Sequence, residues 1–266
     1  GATGGSAGSG GATGGSAGSG GATGGSAGSG GATGGSAGSG GATGGSAGSG
    51  GATGGSAGTA GAGGSGGGGD AGTPDPKMNF FVTSDVSKTG NLGGLSGADA
   101  RCQKLATAVG QGSKTWRAYL STEAGDGGTA VNAKDRMGPG PYYNSKGTLM
   151  AADSAALHAM NGNADLFIDE NGQKIKGQWT GSGTPVEHDV LTGSTNEGTV
   201  MAGKTCVNWT SEMTGITAQV GHSDGLGPSM NPAPPYNSWQ SSHENGGCND
   251  TSPRGGAGRL YCFVGP

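Results

Sequence analysis

Gly97-Ala98-Asp99-Ala100-Arg101-Cys102-Gln103-Lys104-Leu105-Ala106-Thr107-Ala108-Val109-Gly110, followed shortly by Thr115-Trp116-Arg117-Ala118-Tyr119-Leu120-Ser121, reads as a helix and then a strand. Ser96 opens the helix, and Asp99 three residues on makes a capping box with Asp in place of Glu. Ala98, Cys102, Leu105 and Val109 recur at helical spacing on one face, and Gly110 supplies the stop. Cys102 therefore belongs to the buried face. In the second segment Trp116, Ala118 and Leu120 alternate with Arg117 and Tyr119, the period of a strand.

Working outward, Met78 to Thr83 is an apolar, aromatic run expected to form the first strand, and Pro74 and Pro76 close whatever precedes it. Asp153 to Met160 predicts a short second helix. Asn171-Gly172, between Phe167-Ile168 and Ile175, is a hairpin turn signal. After Lys176 the chain is rich in Gly, Ser, Thr, Asn and Pro. Only Cys206 to Thr210 and Arg259 to Val264 read there as strands, so long loops are expected in this half.

The first quarter is of a different kind. Residues 1–50 are five identical copies of Gly-Ala-Thr-Gly-Gly-Ser-Ala-Gly-Ser-Gly, and a sixth decays after Gly58. No charged residue precedes Asp70, and no apolar side chain larger than Ala precedes Met78. Such a segment has nothing to bury against its ordering entropy. A ten-residue period also breaks the every-third-Gly register of a collagen helix. A disordered linker over residues 1–76, with a root-mean-square reach of about 45 Å, is expected. The remaining chain, about 190 residues, is enough for one domain, 77–266. Because the sequence starts at Gly1, a processed product or fragment is expected, with any signal peptide or lipid anchor upstream.

The formal net charge of −4 belongs to the domain and the residues leading into it. It argues against a nucleic-acid partner, which requires clustered Lys and Arg. No apolar run is long enough to span a bilayer. Four cysteines, Cys102, Cys206, Cys248 and Cys262, stand at long irregular spacings with no Cys-x-x-Cys. Two disulfides in an oxidising compartment are expected, and spacing alone leaves all three connectivities open. Gly4-x-Ser-x-Gly8 matches a nucleophile elbow and Gly61-x-Gly63-x-x-Gly66 a dinucleotide fingerprint. Both lie in Gly-rich sequence lacking the strand and helix those motifs require. Asp169-Glu170-Asn171-Gly172 lacks the terminal Glu of a calcium loop.

Four histidines remain. His158 is expected on the solvent side of the second helix. His188, His222 and His243 fall in the loop-rich half, each near an acid: Asp189, Asp224 and Glu244. Three His with carboxylates suit zinc binding or general-base chemistry. Their wide spacing carries no local ligand signature, so they are read as loop residues bonding backbone carbonyls, with no metal and no cofactor assigned. Trp179, Trp209 and Trp239 lie in the same half. Exposed Trp offers a sugar-stacking face, but core packing is expected for at least two of them. The candidate ligand-contact set is His188, Asp189, Trp209, His222, Asp224, Trp239 and His243. No catalytic residue is assigned.

The residues also carry a resemblance. Gly97-Ala98-Asp99-Ala100-Arg101-Cys102, Ala108-Val109-Gly110 and Trp116-Arg117-Ala118-Tyr119-Leu120-Ser121 resemble the opening of endostatin. Val131-Asn132-Ala133-Lys134-Asp135, Thr192-Gly193-Ser194 with Gly198, Cys206 with Trp209, and Leu260-Tyr261-Cys262 continue it. The similarity covers about residues 79–264. It is closer still to lectin-like C-terminal domains of bacterial surface lipoproteins. It implies an α+β, C-type-lectin-like fold: a mixed, mainly antiparallel twisted sheet, two helices and long loops. It also implies nested disulfides, Cys102 with Cys262 and Cys206 with Cys248. Glu-Pro-Asn, Gln-Pro-Asp and Trp-Asn-Asp, the calcium-lectin motifs, are absent, and the acidic domain lacks an arginine-rich heparin face. The expectation is a secreted or surface-displayed, non-enzymatic binding module, its ligand a glycan or an extracellular protein. A structural or matrix role and a metal or enzymatic role are the alternatives.

Overall fold

Leu260-Tyr261-Cys262-Phe263-Val264 is apolar on both faces of its alternation, which requires burial on both sides. In the computed structural model, which describes residues 73–124 and 128–266, it lies within the longest strand of the sheet. The elements are β1 (Phe80–Val82), α1 (Gly94–Ala108), β2 (Trp116–Ala118), β3 (Tyr142–Tyr143), β4 (Leu149–Ala151), α2 (Ser154–Ala159), β5 (Asp189–Leu191), β6 (Gln219–His222), β7 (His243–Glu244) and β8 (Gly256–Val264). The sheet runs β1-β8-β5-β6-β7, with β2 also paired to β8. Among the named strands β5 and β8 pair in parallel, and the other ladders, including a separate β3–β4 pair, are antiparallel. The architecture is α+β, with few helices and a mostly antiparallel sheet.

Strand alternation sorts the core into two layers. Phe81, Leu260 and Cys262 face α1 and pack with Ala98, Cys102, Ala106, Trp116 and Trp209. Phe80, Val82, Tyr261 and Phe263 face the other way, onto Tyr119, Tyr142, Phe167 and Trp239. Cys102 bonds Cys262 across the first layer, tying α1 to β8, and Cys206 bonds Cys248. Disulfides belong to an oxidising, extracellular-type compartment. Among the described residues no helix is long and apolar enough to cross a membrane.

Several expectations are corrected. α1 starts two residues before Ser96, behind Gly93 in the left-handed region, and Ser96 Oγ bonds the Gly93 carbonyl. Asp99 does not cap the helix. Its Oδ1 accepts from the Ala118 amide at 2.9 Å and from the buried Arg136 guanidinium, which also donates to the Ala118 carbonyl at 3.1 Å. A tertiary clamp on β2 outweighs a local cap there because it leaves no buried charge unpaired. Leu105 and Val109 are only half-buried; the buried face of α1 is Ala98, Cys102 and Ala106. Cys206–Trp209 is not a strand but one turn with positive φ at all four residues (48°, 53°, 55° and 65°). Trp209 Nε1 donates to the Ser121 carbonyl at 2.8 Å from within it.

The linker expected over residues 1–76 falls outside the described residues except at its end. Pro74 is buried and the Asp75 amide bonds the Ser145 carbonyl at 3.0 Å, so these residues pack on the domain. The short second helix stands as expected, with Asp153 accepting from the Ala156 amide at 2.8 Å. At Asn171-Gly172 the chain turns back, with an Ile168–Lys174 bridge and Gly172 at φ 78°.

His158 is half-buried rather than solvated. Nδ1 donates to the Ser154 carbonyl at 2.7 Å and Nε2 pairs with the Tyr119 hydroxyl at 2.9 Å, an arrangement that suits the neutral ring. Burial lowers its pKa, with Lys134 adding to the effect against the Ser154 carbonyl. A lowered pKa means the unfolded chain takes the proton first. This contribution is fully present above the unfolded value of about 6.5 and is lost progressively as pH falls from there toward the lower folded value. Thermal melts between pH 7.5 and 5.5 are expected to show His158→Gln losing stability less steeply on acidification than the parent. Each kcal/mol corresponds to about 2–4 °C, and identical pH slopes would refute the assignment.

Candidate functional site

Three neighbouring strands deliver the site. Asp189 opens β5 and His222 closes β6, and the two are partners in the ladder. On β7, His243 pairs with Val220, which places it diagonally across from His222. Cross-strand and diagonal neighbours on one face are within side-chain reach. His188, just before β5, and Asp224, just after β6, complete the cluster.

The distances show convergence. Asp189 Oδ1 lies 3.3 Å from His188 Nε2 and 3.3 Å from His222 Nε2, and Oδ2 lies 3.6 Å from His243 Nε2. His222 Nε2 and His243 Nε2 are 2.9 Å apart. The His188 and His222 rings stack, centroids 4.3 Å apart and 20° from parallel, and Tyr236 stacks on His222 at 5.8 Å and 9°. His188 Nδ1 donates to Asp224 Oδ1 at 2.7 Å, while Asp224 also accepts from the Gln178 and Leu226 amides. His243 Nδ1 donates to the Glu244 carbonyl at 2.9 Å. Two glycines make room. A Cβ on Gly177 would lie 2.2 Å from Asp224 Oδ2, and Gly255, at φ 100°, passes under the His188 ring.

Asp189 is the unusual member. Its side chain is fully buried, and among the described residues neither oxygen has a hydrogen-bond partner. Burial raises its pKa to about 7, with His188 opposing and Asp224 adding to the rise. Burial, then His188 and His243, push His222 down to about 3. His243 is lowered too, chiefly by burial. For Asp224 burial works upward, but the hydrogen bond and charge of His188 and two amides hold it below the usual value. The two carboxyls are thus shifted in opposite directions by environment alone.

Above the cluster is a cavity of about 390 Å³ lined by Gln178, His188, His222, Pro228, Tyr236, His243 and Arg254. A larger cleft of about 650 Å³ runs past Val86, Lys88, Glu187 and Asp250. There Arg259 and Lys176 engage Glu187, and Asp250 is occupied by the amide and hydroxyl of Ser252. The smaller cavity is the chemical one.

Of the seven candidate ligand-contact residues, the structure gathers five: His188, Asp189, His222, Asp224 and His243. Trp209 and Trp239 are fully buried in the two core layers and present no ring to solvent. Trp239 Nε1 donates to the Leu157 carbonyl at 3.0 Å, which satisfies its one polar atom inside the core. Only His243 follows the loop reading by bonding a carbonyl within hydrogen-bond geometry. Tyr236, Gln178 and Arg254 line the cavity without any sequence signal, since each stands alone in a Gly-, Pro- or Ser-rich loop. A scan of the chain against protein-family models matches none, and a search of curated proteins finds no relative.

Proposed function

We propose that the chain is an extracellular or cell-surface binding module: a C-type-lectin-like domain of the endostatin branch, preceded by the Gly/Ser/Ala/Thr-rich segment. The ligand is a glycan or a matrix or surface protein, bound at the His–Tyr–Arg cavity. The α+β architecture with few helices, and bridges joining Cys102 to Cys262 and Cys206 to Cys248, support the lectin-like reading. The observation that carries the binding reading is the cavity itself. It is of the size that accommodates small ligands, and it combines an aromatic ring, imidazoles, an amide and the exposed Arg254. Arg254 favours a ligand group bearing carboxylate or sulfate, which a guanidinium contacts in bidentate fashion. No residue is assigned a catalytic role.

The test is an array of neutral and acidic glycans and matrix proteins, probed with the parent chain, Arg254→Ala and Tyr236→Phe. Binding that falls tenfold or more in Arg254→Ala and is retained for neutral partners in Tyr236→Phe is expected. Absence of binding to every class, or binding indifferent to Arg254, overturns the reading.

A further inference from the structure

We infer that Asp189, His222 and His243 form a binding site for a divalent transition metal of the zinc type, with His188 and Asp224 as its positioning pair. Zinc uptake is a property of the domain alone, so the inference stands without the ligand-binding reading.

The geometry is the first argument. Zinc–nitrogen and zinc–oxygen bonds of about 2.0–2.2 Å place tetrahedral ligand atoms about 3.4 Å apart. The contacts here are 3.3 Å from Asp189 Oδ1 to His222 Nε2, 3.6 Å from Asp189 Oδ2 to His243 Nε2, and 2.9 Å between the two imidazole nitrogens. One atom from each residue lies within 4.8 Å of the other two. Small side-chain shifts bring all three to bonding distance of one ion.

The second argument is the orphaned carboxylate. Both Asp189 oxygens are buried without a hydrogen-bond partner among the described residues. A buried polar group left unpaired is destabilising, and more so when charged. Other buried carboxyls of the chain do find partners: Asp169 accepts two amides, and Asp224 accepts two amides and His188. A cation between Asp189 and the two imidazoles satisfies all three groups at once.

The third argument is orientation. A carbonyl only accepts, so the Glu244 carbonyl fixes the proton on His243 Nδ1 and turns the Nε2 lone pair toward His222 and Asp189. His188 is fixed the same way by Asp224, and its Nε2 faces Asp189 Oδ1 at 3.3 Å. Imidazole with carboxylate is a borderline donor set suited to zinc and its first-row neighbours. Calcium, which takes six to eight oxygens, is unsuited to it. Three ligands from three strands leave coordination positions open toward the cavity under Arg254 and Tyr236.

The test uses the full chain, stripped with chelator and titrated with Zn²⁺ by calorimetry, with elemental analysis after dialysis and Ca²⁺ as the control ion. One zinc per chain is expected, with no uptake of calcium. Uptake is expected to disappear in His243→Gln and in Asp189→Asn. It should weaken about 10- to 100-fold in Asp224→Asn, whose carboxylate orients His188 and is not itself a ligand. It should be unchanged in His158→Gln. Circular dichroism verifies that each variant is folded. Because His243 is partly exposed, its variant keeps the test valid if Asp189→Asn fails to fold. Cobalt substitution gives a second readout, a visible d–d spectrum that is lost in His243→Gln. Failure of the folded parent to bind zinc, or zinc bound equally by His243→Gln, overturns the inference. Either result would reduce the 2.9 Å His222–His243 contact to a hydrogen bond between imidazoles.

Discussion

Replacing Cys102 and Cys262 together by Ala is expected to remove about 5 kcal/mol of stability in the chain-entropy model, which on thermal melts is a fall of about 10–20 °C. The bridge closes a separation of 160 residues, so its loss restores to the unfolded chain the freedom that closing so long a loop had removed. It also lies in the core layer between α1 and β8, where both sulfurs are fully buried and truncation leaves a void. The Cys206–Cys248 bridge spans only 42 residues, and the same model gives about 4 kcal/mol for it. Urea unfolding of the two double-Ala variants, read by circular dichroism, orders them. A Cys206/Cys248 variant that is the less stable of the two would show that packing around the left-handed turn, rather than loop closure, sets the cost.

Truncating Trp239 to Ala is expected to cost about 3–5 kcal/mol. Its ring is fully buried against Tyr119, Phe167 and Tyr261, with centroids at 4.9, 5.6 and 5.3 Å, and its indole N–H holds α2 through the Leu157 carbonyl. Removing it leaves a cavity and takes away one of two hydrogen bonds to the Leu157 carbonyl, which keeps the Met160 amide. Trp239→Phe keeps most of the volume and is expected to cost markedly less while leaving zinc uptake at the His–Asp cluster intact. Were Trp239→Ala as stable as the parent but deficient in ligand binding, Trp239 would be a contact residue after all.

These two residues mark the division in how the chain can be read. Cys102 announces its burial by helical spacing with Ala98, and Leu260 to Phe263 announces a two-faced strand by unbroken apolarity. Those signals are local, so β1, α1, β2, α2 and the end of β8 are legible within a few residues. Trp239 sits in a Ser- and Gln-rich loop with no periodicity, so nothing local distinguishes a core ring from an exposed one. β5, β6 and β7 are hard to read for a related reason. They are short, and much of what they bury is polar: Asp189, Gln219 and His222 beside Val190 and Val220. A pattern search for apolar alternation passes over such strands.

The candidate site shows the same boundary. The types of residue in it, His188, Asp189, His222, Asp224 and His243, are marked by their chemistry in the sequence alone, as are the mild acidity of the domain and the even cysteine count. Their convergence is not, because it follows from register: Asp189 opposite His222, and His243 one diagonal step beyond. Periodicity is a property of neighbouring side chains and can be read along the chain. Register is decided by which distant segments pair, and a slip of one residue would turn Asp189 to the other face of its strand. The sequence by itself determined the helix, the strands with an apolar rhythm and the inventory of reactive groups; the tertiary structure alone decided that three imidazoles and an unpartnered carboxylate meet at one point.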